Sequence, residues 1–209
     1  MGGRGSSMGG SHGSGGGGVS LISTPRQQLE QLIGPQSSPI DIGPAAQGAN
    51  PNFAFGKDNW EYNTNCQRCI WAYEMRRRGY DVEAMPRTKA INDPAYGGRW
   101  MEFMQGAEAV STPTQKAVEK QMASWGDGAR AVVRIRYRNG YSGHVFIAER
   151  QGGKTIFAEP QAYKYWKPST SYLASMAKDI RMSDTQLVRI DNLQPDVTKV
   201  STYVRKATK

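Results

Sequence analysis

Past the first fifty residues, apolar and polar positions follow two different periods. From Asn65 to Arg78 the residues Cys66, Cys69, Ile70 and Tyr73 recur at three- and four-residue steps. That spacing predicts a helix, with Asn65 as its N-cap and Gly79 as its stop. A second helix is predicted over Thr114–Trp125. Further on the period becomes two. Val133, Ile135 and Tyr137 alternate with Arg134, Arg136 and Arg138, and His144, Phe146 and Ala148 alternate with Val145 and Ile147. These runs predict strands Ala131–Arg138 and His144–Glu149 joined through Asn139-Gly140. The turn signal Gln151-Gly152-Gly153-Lys154 leads into a third strand, Thr155–Glu159. Residues 170–181 read as a helix and Gln186–Ile190 as a last strand. A helix followed by mostly antiparallel strands predicts an α+β domain.

The N-terminal region is patterned differently. Residues 1–18 are mostly Gly and Ser, which cannot bury enough apolar surface to offset their ordering entropy, so a flexible arm is expected. In residues 24–34, Thr24 is a cap, Pro25 suits the first helical position and Gln27 completes a capping box. Leu29, Leu32 and Ile33 form a small apolar stripe, either a docking peptide for a partner or a strut on the main domain. Residues 35–50, rich in Pro, Gly, Ser and Ala, read as a linker. The expected organisation is therefore an arm over 1–50, holding the short amphipathic helix and the linker, and a globular domain over 51–209.

Composition narrows the class. Hydrophobic residues make up 38% of the 209, a low share whose deficit lies largely in the first fifty residues, so the remainder can build a core. No apolar run is long enough to span a bilayer, and MGGRGSSMGG has no apolar signal-peptide region. Two cysteines cannot form a disulfide framework, which fits a reducing compartment such as the cytoplasm. The net charge of +9 permits attraction to nucleic acid or to acidic proteins. No aromatic residue interleaves with Arg134, Arg136 and Arg138 on their face, so nucleic acid is not an expected partner and the three read as a solvated outer face.

The two cysteines carry the candidate chemistry. In the first turn of a helix capped by Asn65, the free N–H groups and the helix dipole favour the thiolate of Cys66 and offer part of an oxyanion hole. Cys69 lies one turn further in, where both effects fade. A pair of ordinary half-buried cysteines fits the helix equally well. A thiolate nucleophile needs a proton shuttle, and His144 is the only histidine outside the Gly-rich arm. With a two-residue Gly152-Gly153 turn, Gln151 pairs with Lys154, and Phe157, Glu159 and Gln161 share the face of His144. Glu159 is then diagonal to His144 and able to orient its ring. A zinc deaminase would place His-x-Glu before Pro-Cys-x-x-Cys, an order absent here. A thioredoxin-type site needs a strand ahead of the cysteines, and residues 56–65 make a poor one. No metal or cofactor is expected.

These residues resemble a known family. Asn65-Cys66, Cys69, Ala72, Arg77-Arg78-Gly79-Tyr80-Asp81-Val82 and Ala84, then Gly143-His144-Val145-Phe146, Glu159-Pro160-Gln161 and Arg189-Ile190-Asp191-Asn192, are similar to the papain-fold toxin 1 family, the predicted protein-glutamine deamidases. The resemblance spans roughly residues 52–195. It implies a papain-like fold, with a nucleophile helix packed on a mostly antiparallel sheet, and a Cys–His–acid triad of Cys66, His144 and Glu159. Asn65, Gln161 and Cys69 would support the site. The family's usual acid is Asp before Pro-Gln; here it is Glu, one methylene longer. The implied substrate is a protein glutamine, and the implied settings are bacterial toxins and phage or prophage proteins. A papain-like peptidase would use the same three residues, and a non-catalytic virion or interaction module on this scaffold would suit the N-terminal helix. The opening MGGRGSS also resembles the N-termini of small phage head-associated proteins.

Overall fold

The computed structural model describes residues 23–55, 58–90, 93, 99–140 and 142–208. The Gly/Ser arm expected at 1–18 lies outside the described residues. In chain order the helices are α1 (Pro25–Ile33), α2 (Ile42–Ala49), α3 (Trp60–Asn63), α4 (Cys66–Arg77), α5 (Gln115–Trp125), α6 (Tyr172–Ser175) and α7 (Val200–Tyr203). The strands are β1 (Val82–Ala84), β2 (Ala109–Ser111), β3 (Arg130–Arg136), β4 (Gly143–Gln151), β5 (Lys154–Ala158), β6 (Gln186–Arg189) and β7 (Val204–Lys206). Five strands form an antiparallel sheet in the order β2-β6-β3-β4-β5, and β1 pairs with β7. The architecture is α+β, as expected.

The sheet has two covered faces because its strands alternate between two cores. Val132, Val145, Ile147, Ala158 and Val188 point to the side packed by α4, α2 and α1. Val133, Ile135, Phe146, Ala148, Phe157 and Leu187 point to the side packed by α5 and α6. Helix α4 is buried from Arg68 to Met75, more than one stripe would require. It is covered on one side by the sheet and on others by α2 and by Trp100 and Phe103, the latter stacked on Trp71 at 4.8 Å. Burying charged groups is costly unless they are paired. Glu74 is bonded by Arg78 and Arg130, and Glu149 by Tyr73, through its hydroxyl, and by Arg77. These contacts join α4 to β3 and β4 and so set the height of the helix on the sheet. Gly79 ends the turn at φ 95°, and a Cβ there would lie 2.0 Å from the Ser37 carbonyl oxygen, so only glycine fits.

Three expectations are corrected. Residues 35–50 are not a plain linker: α2 occupies most of the segment, and Ala45, Ala46 and Ala49 are fully buried against α4. Small side chains that read as linker composition are here the condition for close helix packing. Helix α2 also contacts β1, on the other side of the boundary expected near Pro51. Helix α1 forms with its capping box, and Leu29 and Ile33 are buried beside α7 and β7, so its apolar face serves as a strut. The helix expected over 170–181 is only the four residues of α6, and β6 is followed by a further strand, β7. No described helix is long and apolar enough to cross a membrane.

Candidate active site

Asn65 does not cap α4 with its side chain. Its amide is buried in a network instead. Asn65 Nδ2 donates to Asn50 Oδ1 at 3.3 Å and to the Met85 carbonyl at 3.2 Å. Asn50 Nδ2 in turn donates to the Tyr62 carbonyl, to Asn65 Oδ1 and to the Gln161 carbonyl. One amide from the end of α2 thus ties the start of the cysteine helix to the loop after β5. The Asn65 carbonyl accepts from the N–H groups of Arg68 and Cys69, while among the described residues no partner takes the N–H of Cys66 or Gln67. Those two donors stay available for an anion.

Cys66 is half-buried and Cys69 fully buried. The Cys69 thiol donates to Asn65 Oδ1 at 3.1 Å, and burial pushes its pKa well above the ordinary range. A buried, protonated thiol is a packing group and a poor nucleophile. Cys69 therefore supports the turn, and Cys66 is the thiol that faces the cleft.

The β4–β5 register matches the two-residue turn, with Gln151 opposite Lys154 and Ile147 opposite Ala158. Glu159 follows directly after β5, and the parity carries it to His144: Nε2 of His144 lies 2.5 Å from Glu159 Oε2. With Nε2 committed to Glu159, Nδ1 is the ring nitrogen left for Cys66, whose side chain influences the ring and lines the same cavity. Gly143 lets β4 start close to β3, because a Cβ there would lie 2.5 Å from the Ile135 carbonyl oxygen. The ring stacks on Phe146 and keeps 11% of its surface exposed.

Burial alone would lower the His144 pKa. The Glu159 charge, with the hydrogen bonds to Cys66 and Glu159, outweighs it and holds the ring well above 6.5. Glu159 shows the mirror case. Burial pushes it up, but the His144 charge and bonds from His144, Tyr172 and the Gln161 N–H hold it below the usual carboxylate range. Tyr172 Oη donates to Glu159 Oε2 at 2.6 Å, and the Gln161 N–H donates to Oε1 at 2.9 Å. Gln161 thus acts through its backbone; its side-chain Nε2 is buried with no partner among the described residues.

A cavity of about 400 Å³ opens beside Cys66 and His144, lined also by Gln67, Trp100, Arg134, Arg136 and Ser142. The expectation of a merely solvated arginine face is therefore corrected for Arg134 and Arg136. Both lie at the end of β3 where it reaches the cleft, while Arg138 lies past it. Sequence reasoning missed Asn50, Tyr172 and the arginines' place in the cleft. Tyr172 is brought in by a bridge between Phe157 and Ser169, a contact across an irregular loop that leaves no periodic trace. Among the described residues no group of three or more His, Cys, Asp or Glu is placed to hold a metal.

Helix α4 thus starts on a cysteine that shares its cavity with a histidine of the antiparallel sheet, and that histidine bonds a carboxylate. The family described as Papain fold toxin 1, glutamine deamidase matches residues 64–163. That segment contains Cys66, His144, Glu159 and Gln161 and bears out the resemblance read from the sequence; Arg189–Asn192 lie beyond it. The fold is accordingly a papain fold of α+β class. Searches among curated proteins and among solved structures find no match.

Proposed function

We propose that the protein is a thiol-dependent protein-glutamine deamidase in which Cys66, His144 and Glu159 act as nucleophile, proton shuttle and orienting acid. The observation that carries this reading is that Cys66 and His144 line one cavity while Glu159 bonds the His144 ring, all inside the segment that matches a deamidase family. The Glu159 charge supports the protonated form of His144 beside Cys66, so the ring can carry the thiol's proton. The thiolate adds to the carboxamide carbon of a glutamine side chain. The oxyanion that forms is held by the N–H groups of Cys66 and Gln67. The imidazolium gives its proton to the departing nitrogen, ammonia leaves, and a thioester remains. The now neutral His144 takes a proton from water, the hydroxide adds to the thioester, and collapse returns the thiol and a glutamate side chain.

Glu159 moves no proton in this cycle. It keeps the ring oriented with Nδ1 toward Cys66 and stabilises its charge, while Tyr172 and the Gln161 N–H hold Glu159 itself. A peptidase would use the same groups on a backbone amide; the family match favours the side-chain amide. The protein substrate would be met in the cytoplasm of a host or target cell, or from a virion. Ammonia release from N-blocked glutaminyl peptides tests the proposal. Release by the wild type and none by Cys66→Ala is expected; equal release by both contradicts it.

A further inference from the structure

The chain neutralises most of its arginines internally. Arg68, Arg76, Arg77, Arg78, Arg130 and Arg205 each meet a carboxylate within 3.0 Å. Neither cleft arginine has a carboxylate partner among the described residues. Arg134 Nη1 donates to the neutral amide of Gln186 at 2.7 Å, and Arg136 is exposed with no side-chain partner among the described residues. All of the chain's 18 Asp and Glu residues lie among the described residues, and none lines the cavity that holds Cys66 and His144. Glu159, the nearest acid to the chemistry, is fully engaged by His144, Tyr172 and the Gln161 N–H. Two like charges two residues apart on one strand face repel, and neither is offset by the protein's own acids. An incoming anion would offset both, and Arg136 has a free planar fork to receive a carboxylate.

We propose that the substrate is an acidic segment, in which a carboxylate flanking the target glutamine is received by Arg136, with Arg134 beside it. This deepens the deamidase reading and rests on it. Arg136 is thus a specificity determinant on the side of the cleft formed by β3.

The test has two arms that fail separately. In the first, Cys66 is alkylated with iodoacetate and with iodoacetamide, an anionic and a neutral probe of nearly one size, and the ratio of the two rates is read by peptide mapping. Arg136→Gln should lower that ratio roughly three- to ten-fold, the range for removing one charge from the same partly wet cleft. Arg138→Gln, a control two residues past the end of β3 and outside the cavity, should leave it unchanged. An unaltered ratio in Arg136→Gln, or an equal fall in Arg138→Gln, overturns the proposal. In the second arm, glutaminyl peptides flanked by Glu or by Ser are compared. The Glu-flanked peptide should have the higher kcat/KM, and Arg136→Gln should erase that preference. Equal kcat/KM for both peptides in the wild type overturns the proposal while leaving deamidation intact. Ammonia from neither peptide defeats the deamidase reading, and the alkylation ratio then still decides whether the cleft selects anions. Circular dichroism of each variant separates these outcomes from misfolding.

Discussion

Replacing Glu159 with Gln removes one negative charge from a buried site at almost constant volume. The wild-type carboxylate accepts from His144, from the Tyr172 hydroxyl and from the Gln161 N–H. A Gln can keep the bond from Gln161 through its carbonyl oxygen. Its amide nitrogen then faces His144 and Tyr172 as a donor. His144 Nε2 has to accept, so the ring proton moves to Nδ1, the atom that faces Cys66. The ring can no longer take a proton from the thiol, and an imidazolium formed there lacks its counter-charge. An ion pair in contact is worth on the order of 4 kcal/mol at an effective dielectric of 20. That corresponds to roughly a thousand-fold loss of turnover. Fold stability should change far less, by about 1–3 kcal/mol, because one charge-assisted bond is lost while the cost of burying a carboxylate is relieved. Steady-state ammonia release, with Cys66→Ala as the inactive reference, gives the first figure, and urea denaturation gives the second. NMR of the single ring in the folded domain should show the His144 pKa falling, since burial is then opposed by Cys66 without the Glu159 charge. Glu159→Asp keeps the charge but shortens the reach to Tyr172 and His144, so its activity should lie between wild type and Glu159→Gln. A Glu159→Gln enzyme within a few-fold of wild type, with Cys66→Ala inactive, would refute the orienting role.

Iodoacetamide at neutral pH should modify Cys66 at least about a hundred-fold faster than Cys69, whose thiol is buried and held protonated; peptide mapping that finds comparable rates would contradict the division of roles. The His144–Glu159 pair should also shape stability against pH. A raised His144 contributes fully below 6.5 and loses that contribution as pH rises through its folded value, while a depressed Glu159 contributes fully above 4.5 and loses it as pH falls through its own. The stability gap between wild type and Glu159→Gln, from urea melts, should therefore be widest between these limits and shrink on the alkaline side. Ile33→Ala should cost about 2–4 kcal/mol, since Ile33 is 2% exposed inside the α1 contact, and a smaller loss would mean that α1 is only loosely held. Asn50→Ala should lower turnover more than it lowers the melting temperature, because it releases the start of α4 from the Gln161 loop; a purely thermal effect would make Asn50 structural only.

The central helix, the β3–β4–β5 meander and the pairing of His144 with Glu159 were readable because each rests on a local rule. A 3.6-residue stripe, a two-residue glycine turn and strict alternation fix which side chains share a face. Cys66 could be ranked above Cys69 from position in the helix alone, and burial widens the difference. The misses have a common cause in long-range packing. Asn50 sits in a stretch of small residues that resembles a linker, and only its contact with α4 reveals why the residues are small. Tyr172 reaches Glu159 across a loop whose course no periodicity records. Arg134 and Arg136 were assigned correctly to one strand face, but which end of that face opens onto the cleft depends on where α4 crosses the sheet. Residue type alone makes Asn65 a cap, whereas the buried amide network takes its side chain away from the helix end.

The most direct test of the account is mass spectrometry of a glutaminyl protein or peptide substrate incubated with wild type and with Cys66→Ala. The account predicts an amide-to-acid mass change at a glutamine side chain, with the backbone intact, produced by the wild type and absent with Cys66→Ala. Cleavage of the backbone instead would make the protein a peptidase, and a glutamine change that persists in Cys66→Ala would remove Cys66 from the chemistry.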